Sequence, residues 1–172
     1  ASVPEGKNDK ISDMECGEGF DRSSLSLLGK QLELLKKVSE TGTPVIVVLI
    51  EGRPLNLDGN ENRVAAILNA WYPGMEGGNA IADVLFGDYN PAGRLPVSVP
   101  KSEGQIPVYY NYNSPRRRDY VEMDSKPLYP FGFGLSYSSY EYSNLQVNPV
   151  EAGNNLSIGV SFALKNTGKM DG

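Results

Sequence analysis

The sequence contains no histidine and only one cysteine. Without histidine there is no Ser-His-Asp or Cys-His nucleophile system, and nearly every catalytic zinc site is excluded as well. Acid-base chemistry therefore falls to carboxylates, and nothing in the pattern calls for a metal or a cofactor. A lone cysteine forms no internal disulfide, so packing must hold the fold. With no histidine to activate it, Cys16 reads as a small packing residue. Also missing is any apolar run long enough for a helix to cross a bilayer. Positive charge is scarce: the formal net charge is −5 and the only run of cations is Arg116, Arg117 and Arg118. A nucleic-acid partner, which needs a basic footprint to neutralise phosphates, is not expected. There is no initiating Met, and the chain closes on a turn directly after a strand pattern, so it reads as an excised fragment, truncated at its N-terminus.

What is present is globular in composition. The 172 residues are 40% hydrophobic and 22% charged, enough for one domain or for one domain and a piece of another. The stretch Glu15-Cys16-Gly17-Glu18-Gly19-Phe20-Asp21-Arg22 holds three carboxylates in eight residues, one of them, Glu18, between two glycines. Flanking glycines open backbone angles closed to other residues, which suits Glu18 to a tight projecting loop. Asp21 and Arg22 fall where a helix is expected to begin, the aspartate able to cap free N–H groups and the arginine able to grip a carboxylate. Two readings stand side by side: a mount for a reactive carboxyl, or a solvated acidic turn with a helix cap.

The remaining chain follows α/β grammar and then changes. Leu25, Leu28, Leu32, Leu35 and Val38 form one apolar stripe, predicting a helix over 23–40. Val45-Ile46-Val47-Val48-Leu49-Ile50 is an unbroken apolar run of the kind covered on both faces in a parallel sheet. Glu51-Gly52-Arg53-Pro54 leaves its carboxyl end, where α/β folds place functional loops. A second buried strand is expected over 64–71, a helix over 76–86 and an edge strand or extended wrap over 95–100. The polar, tyrosine-rich stretch 102–126 is long for a structureless loop. There Arg116, Arg117, Arg118 and Tyr120 offer guanidinium and phenol groups for an outer substrate subsite, with a solvated charge run as the alternative. The aromatic and glycine run 128–137 is expected to seal an edge of the core. Beyond Tyr140, Leu156, Ile158, Val160, Phe162 and Leu164 alternate, the signature of a strand with one buried face. The fold class is thus a three-layer α/β/α sandwich with a mostly parallel sheet, followed by the first strands of a β-sandwich.

Four segments, in order, resemble glycoside hydrolase family 3, the β-glucosidase and β-xylosidase family. They are Gly17-Glu18-Gly19-Phe20-Asp21-Arg22; Ala70-Trp71-Tyr72-Pro73-Gly74-Met75-Glu76-Gly77-Gly78 with Ala80-Ile81-Ala82-Asp83-Val84-Leu85-Phe86-Gly87; Asn90-Pro91-Ala92-Gly93-Arg94-Leu95-Pro96; and Tyr129-Pro130-Phe131-Gly132-Phe133-Gly134-Leu135-Ser136-Tyr137. The resemblance implies that residues 1–138 are the family's C-terminal α/β-sandwich domain and 139–172 the start of a fibronectin type III-like domain. It further implies a retaining exo-acting β-glycosidase, most simply a β-glucosidase, acting on terminal non-reducing β-linked sugars of oligosaccharides or simple glycosides. An N-terminal barrel of the same parent chain would supply the aspartate nucleophile, without which the isolated fragment is expected to be inactive. Glu18 occupies the position of the general acid/base, Asp21 and Arg22 support its loop, and Glu15 is the fallback acid. A periplasmic or secreted location is implied in the same way. Two alternatives stay open: specificity for β-xylosides or α-arabinofuranosides, and a non-catalytic carbohydrate-binding or scaffolding module in which Glu18 merely caps.

Overall fold

A computed structural model describes residues 22–111, 119–152 and 155–171, and the side chains of these apart from 150–152, 155 and 156. The chain is α/β. It divides into two units, one of residues 1–80 and 95–133, the other of residues 81–94 and 134–172.

In the first unit, helix α1 (Gln31–Ser39) leads into strand β1 (Ile46–Leu49), and β2 (Ala66–Asn69) follows. β1 and β2 pair in parallel with Ile46 opposite Ala66 and Leu49 opposite Asn69. The pairing extends past both ends of the strands, from Ala65 N–H to Val45 O (2.7 Å) to Glu51 N–H to Trp71 O (3.2 Å). Gly42 takes a φ of 79°, the left-handed turn that ends α1 and reverses the chain into β1. Among the described apolar residues the smallest exposures are those of Leu57 (1%), Val99 (4%) and Leu35 (8%).

Three expectations are corrected here. The first helix begins at Gln31, not at residue 23. Ser26 forms a parallel bridge with Asn56, and Asn56 N–H donates to Leu25 O at 2.9 Å, so residues 24–26 are spent on a strand-like contact. Gly29, at φ 57°, then turns the chain before the helix can start. The leucine stripe runs through that turn unchanged, which is why periodicity alone extends the helix too far. β1 is parallel as expected but is not covered on both faces: Ile46 is 51% and Ile50 64% exposed. Among the described residues its sheet has two strands, so each keeps a free edge. The aromatic run does not seal a core edge either, since Phe131, Phe133, Leu135 and Tyr137 are all exposed. Its rings stack on one another instead, Tyr129 on Phe133 with centroids 5.1 Å apart and Tyr110 on Phe131 at 4.7 Å. The 95–100 segment is an extended wrap, bridged once where Val99 pairs antiparallel with Tyr129.

Helix α2 (Gly77–Phe86) carries the chain from the first unit into the second. In the second unit, β3 (Tyr140–Ala152) and β4 (Asn155–Asn166) pair antiparallel, from Tyr140 opposite Asn166 to Ala152 opposite Asn155. The register shifts between Ser143 and Gln146, where Asn144 has a φ of 55°, a bulge that re-aims the strand. Tyr142 and Phe162 meet on one face of this hairpin with centroids 5.4 Å apart.

Candidate functional site

The sequence points to the acidic loop, of which Glu15, Glu18 and Asp21 lie outside the described residues. Arg22, the last residue of that motif, is half-buried, and its guanidinium donates to the carbonyl of Ser26. Arg116, Arg117 and Arg118 also lie outside the described residues. Tyr120 is 40% exposed and its hydroxyl donates to Gly104 O at 2.9 Å. Asp119 accepts the Ser125 N–H at 2.8 Å, so this stretch is tied to its own backbone.

In the same unit the structure adds a buried carboxyl, Glu51, which the sequence marks only as the first residue of the loop leaving the 45–50 strand. Glu51 stands just beyond β1, at the carboxyl end of the parallel strands, and is only 5% exposed. Asn69, the last residue of β2, donates from Nδ2 to Glu51 Oε1 at 2.8 Å. The same amide accepts the Trp71 N–H on Oδ1 at 3.1 Å. Trp71 has a φ of 51°, unusual for a bulky residue. Asn69 thus does two jobs: it braces the strained turn after β2 and it holds one oxygen of Glu51. The other oxygen, Oε2, is buried and has no hydrogen-bond partner among the described residues.

Burial pushes the Glu51 carboxyl above the usual range for a glutamate, because the charged form loses its water. The Leu55 backbone, the Asn69 amide and the positive charge of Arg22 act in the opposite sense, in that order of size. Gly52 follows at once, in close approach to the Tyr72 ring: a Cβ there would lie 2.7 Å from its Cζ. The backbone turning out of β1 therefore passes flush against the aromatic residue that follows Trp71. A signal for Glu51 was available in the sequence, as a carboxylate directly after an unbroken apolar strand. A signal for Asn69 was not, since its partner lies 18 residues away.

Chemically, a buried carboxyl with one free oxygen can hold a cation or brace a loop. Among the described residues no cluster of histidine, cysteine, aspartate and glutamate suits a metal ion, and no helix is long and apolar enough to cross a membrane.

Comparison with known proteins bears on the whole chain. The glycosyl hydrolase family 3 C-terminal domain matches residues 6–137. A β-xylosidase of Formosa agariphila is 44% identical over 161 residues, covering 91% of this chain and 22% of its own length. A periplasmic β-glucosidase of Salmonella typhimurium is 41% identical over 166 residues, covering 90% and 22% respectively. Among solved structures, a β-glucosidase of Erythrobacter marinus superimposes with a TM-score of 0.77 at 46% identity, covering 88% of this chain and 20% of that one. The chain spans about a fifth of the length of these relatives.

Proposed function

Because the chain belongs to glycoside hydrolase family 3, through the family's C-terminal domain, we propose that it is part of a retaining exo-acting β-glycosidase and supplies the general acid/base, Glu18. The observation that carries this reading is the identity of 44% and 41% to a β-xylosidase and a β-glucosidase across nine-tenths of the chain. In the proposed parent, residues 1–138 form the C-terminal α/β-sandwich domain and 139–172 open a fibronectin type III-like domain. The nucleophilic aspartate comes from an N-terminal barrel of the same polypeptide, and the substrate is an oligosaccharide or simple β-glycoside.

A retaining mechanism needs two carboxyl groups roughly 5 Å apart, one ionised to attack the anomeric carbon and one protonated to release the leaving group. The acid then returns as base to activate water. Gly17 and Gly19, which flank Glu18, would permit a tight turn that presents its carboxyl, with Asp21 and Arg22 as the loop's support. Glu15 is the fallback. The outer sugar subsite assigned to Arg116, Arg117, Arg118 and Tyr120 belongs to the same proposal. A β-glucosidase is the first reading of specificity. The β-xylosidase named among the relatives favours xylosides as the second. The named periplasmic relative supports a periplasmic or secreted location.

The test is Glu18→Gln in the full-length parent. Loss of the proton donor should slow an alkyl glycoside, whose leaving group needs protonation, by about 10²–10⁴-fold, and spare the first step on an activated aryl glycoside. An equal loss on both substrates removes Glu18 from this role, and the same loss pattern in Glu15→Gln transfers the role to Glu15.

A further inference from the structure

We propose that Tyr72, on the turn that leaves β2, is a stacking platform for the pyranose ring of the leaving-group sugar. This rests on the chain being part of a β-glycosidase and names a residue of that enzyme's substrate site. It uses no residue of the acidic loop.

The turn stands at the carboxyl end of the parallel pair β1–β2, the end at which open α/β sheets bind their ligands. It is both strained and pinned. Trp71 has a φ of 51°, which a bulky residue keeps only where its surroundings over-determine it, and such outliers gather at ligand clamps. The pins are Ala70 N–H to Leu49 O at 2.8 Å, Glu51 N–H to Trp71 O at 3.2 Å and Trp71 N–H to Asn69 Oδ1 at 3.1 Å. Asn69 is held in turn by the buried Glu51 carboxyl, to which its Nδ2 donates at 2.8 Å. On this fixed turn Tyr72 is 78% exposed, although its far end is held. A Cβ on Gly52 would lie 2.7 Å from Tyr72 Cζ and 2.8 Å from Cε2, so the tip of the ring rests on the backbone leaving β1. Pro73 lies as closely over Gly77, the first residue of α2, where a Cβ would be 2.6 Å from its Cγ.

A ring that is already immobilised and open to solvent gives up little freedom when a ligand stacks on it, so its contact area goes into binding. A pyranose offers a flat face of C–H groups, and the negative face of an aromatic ring attracts groups polarised in that way. The ring's placement also selects which sugar it meets. An exposed ring on a turn covers one face of a sugar and leaves the other in water. That suits the departing sugar, whereas the terminal sugar of an exo-acting enzyme needs a pocket that encloses it. A leaving group without a ring has nothing to place there.

The experiment measures kcat/KM of the full-length parent on cellobiose against methyl β-glucoside, and on xylobiose against methyl β-xyloside, for Tyr72→Ala, Tyr72→Phe and Gly52→Ala. Tyr72→Ala should lower kcat/KM on the disaccharide by about tenfold, chiefly through KM, with less than about twofold loss on the methyl glycoside. Tyr72→Phe keeps the ring and should stay within about twofold of the parent on both. Gly52→Ala should reproduce Tyr72→Ala. The three atoms nearest to the added Cβ all belong to the Tyr72 side chain, so the ring is pushed aside while the backbone stays, and this variant reports even if Tyr72→Ala folds poorly. Equal losses on both substrates, the result expected of a ring that packs against the rest of the parent, would overturn the proposal. So would an unchanged disaccharide rate, or a Tyr72→Phe variant as impaired as Tyr72→Ala. Those three results leave the glycosidase reading standing. A parent that cleaves none of the four substrates overturns that reading and the role of Tyr72 with it.

Discussion

The backbone N–H of Leu25 donates to Oε1 of Glu103 at 2.6 Å, joining segments 78 residues apart. This bond is the first cause of a Glu103 carboxyl held below the usual glutamate range, followed by its own backbone N–H and the Ser24 hydroxyl. A depressed folded value means that the stabilisation is present above the unfolded pKa and is lost as pH falls through the folded one. Glu103→Gln should therefore speed amide exchange across residues 22–29 at pH 7. At pH 3 the variant and the unaltered protein should converge. The carboxylate is exposed, so the cost stays below about 1 kcal/mol. Equal protection at neutral pH would show that the bond does not hold the segment.

Gln105 makes the corresponding bond inside the long polar stretch. It is 4% exposed, its Oε1 accepts the Lys101 N–H at 2.6 Å, and its Nε2 donates to Lys126 O at 3.0 Å. One amide thus ties together the two ends of the 101–126 segment. Gln105→Leu fills the same space and orphans both backbone groups, which should cost about 1–3 kcal/mol and open the segment to limited proteolysis. A cleavage rate unchanged from the parent would assign the closure to the Lys101–Asp124 ion pair at 2.7 Å instead.

The elements that the sequence shows best are those in which one physical signal dominates. The apolar run 45–50 yields β1, and the spacing of Ala80, Ile81, Val84 and Leu85 yields α2, with its start one residue later than expected and its end unchanged. The alternation after Tyr140 yields the β3–β4 hairpin. What the sequence hides depends on partners distant along the chain. Ser26 leaves the helix expected over 23–40 because Asn56 meets it, and no local pattern carries that information. Glu51 is visible as a strand-end acid, but its burial depends on Asn69. The family motifs were legible as strings, whereas Glu18 and Asp21, whose roles those motifs suggest, lie outside the described residues.

Two glycines in the third family motif and the fourth make opposite predictions. A Cβ on Gly134 would lie 2.6 Å from Arg94 Cδ and 2.8 Å from the Gly93 carbonyl, a collision that includes backbone. A Cβ on Gly93 would meet nothing within 4 Å. Gly134→Ala should destabilise the parent by about 1–3 kcal/mol, as overpacking does. Gly93→Ala should be neutral or stabilising by up to about 1 kcal/mol, by restricting the unfolded chain. Thermal midpoints of the two variants in one buffer decide the matter, and a reversed order would refute the close approach at Gly134.

Glu51 makes the stability of the fold depend on pH. Its carboxyl sits above the usual range, chiefly because burial penalises the charged form, with Leu55, Asn69 and Arg22 offsetting part of that. A group with a raised folded pKa contributes stability that is full below the unfolded value, about 4.3 for a glutamate, and is lost as pH rises through the folded value. At neutral pH the ionised side chain is therefore a net cost, and Glu51→Gln should raise the thermal midpoint by ~2–4 °C at pH 7.5. Near pH 4 the gain should shrink, because the native side chain is then protonated and resembles the amide. Midpoints measured at both pH values on the parent and on Glu51→Gln decide it: a variant less stable at pH 7.5 than at pH 4 relative to the parent would mean that Arg22 outweighs burial, and Glu51 would then be a stabilising half of an ion pair.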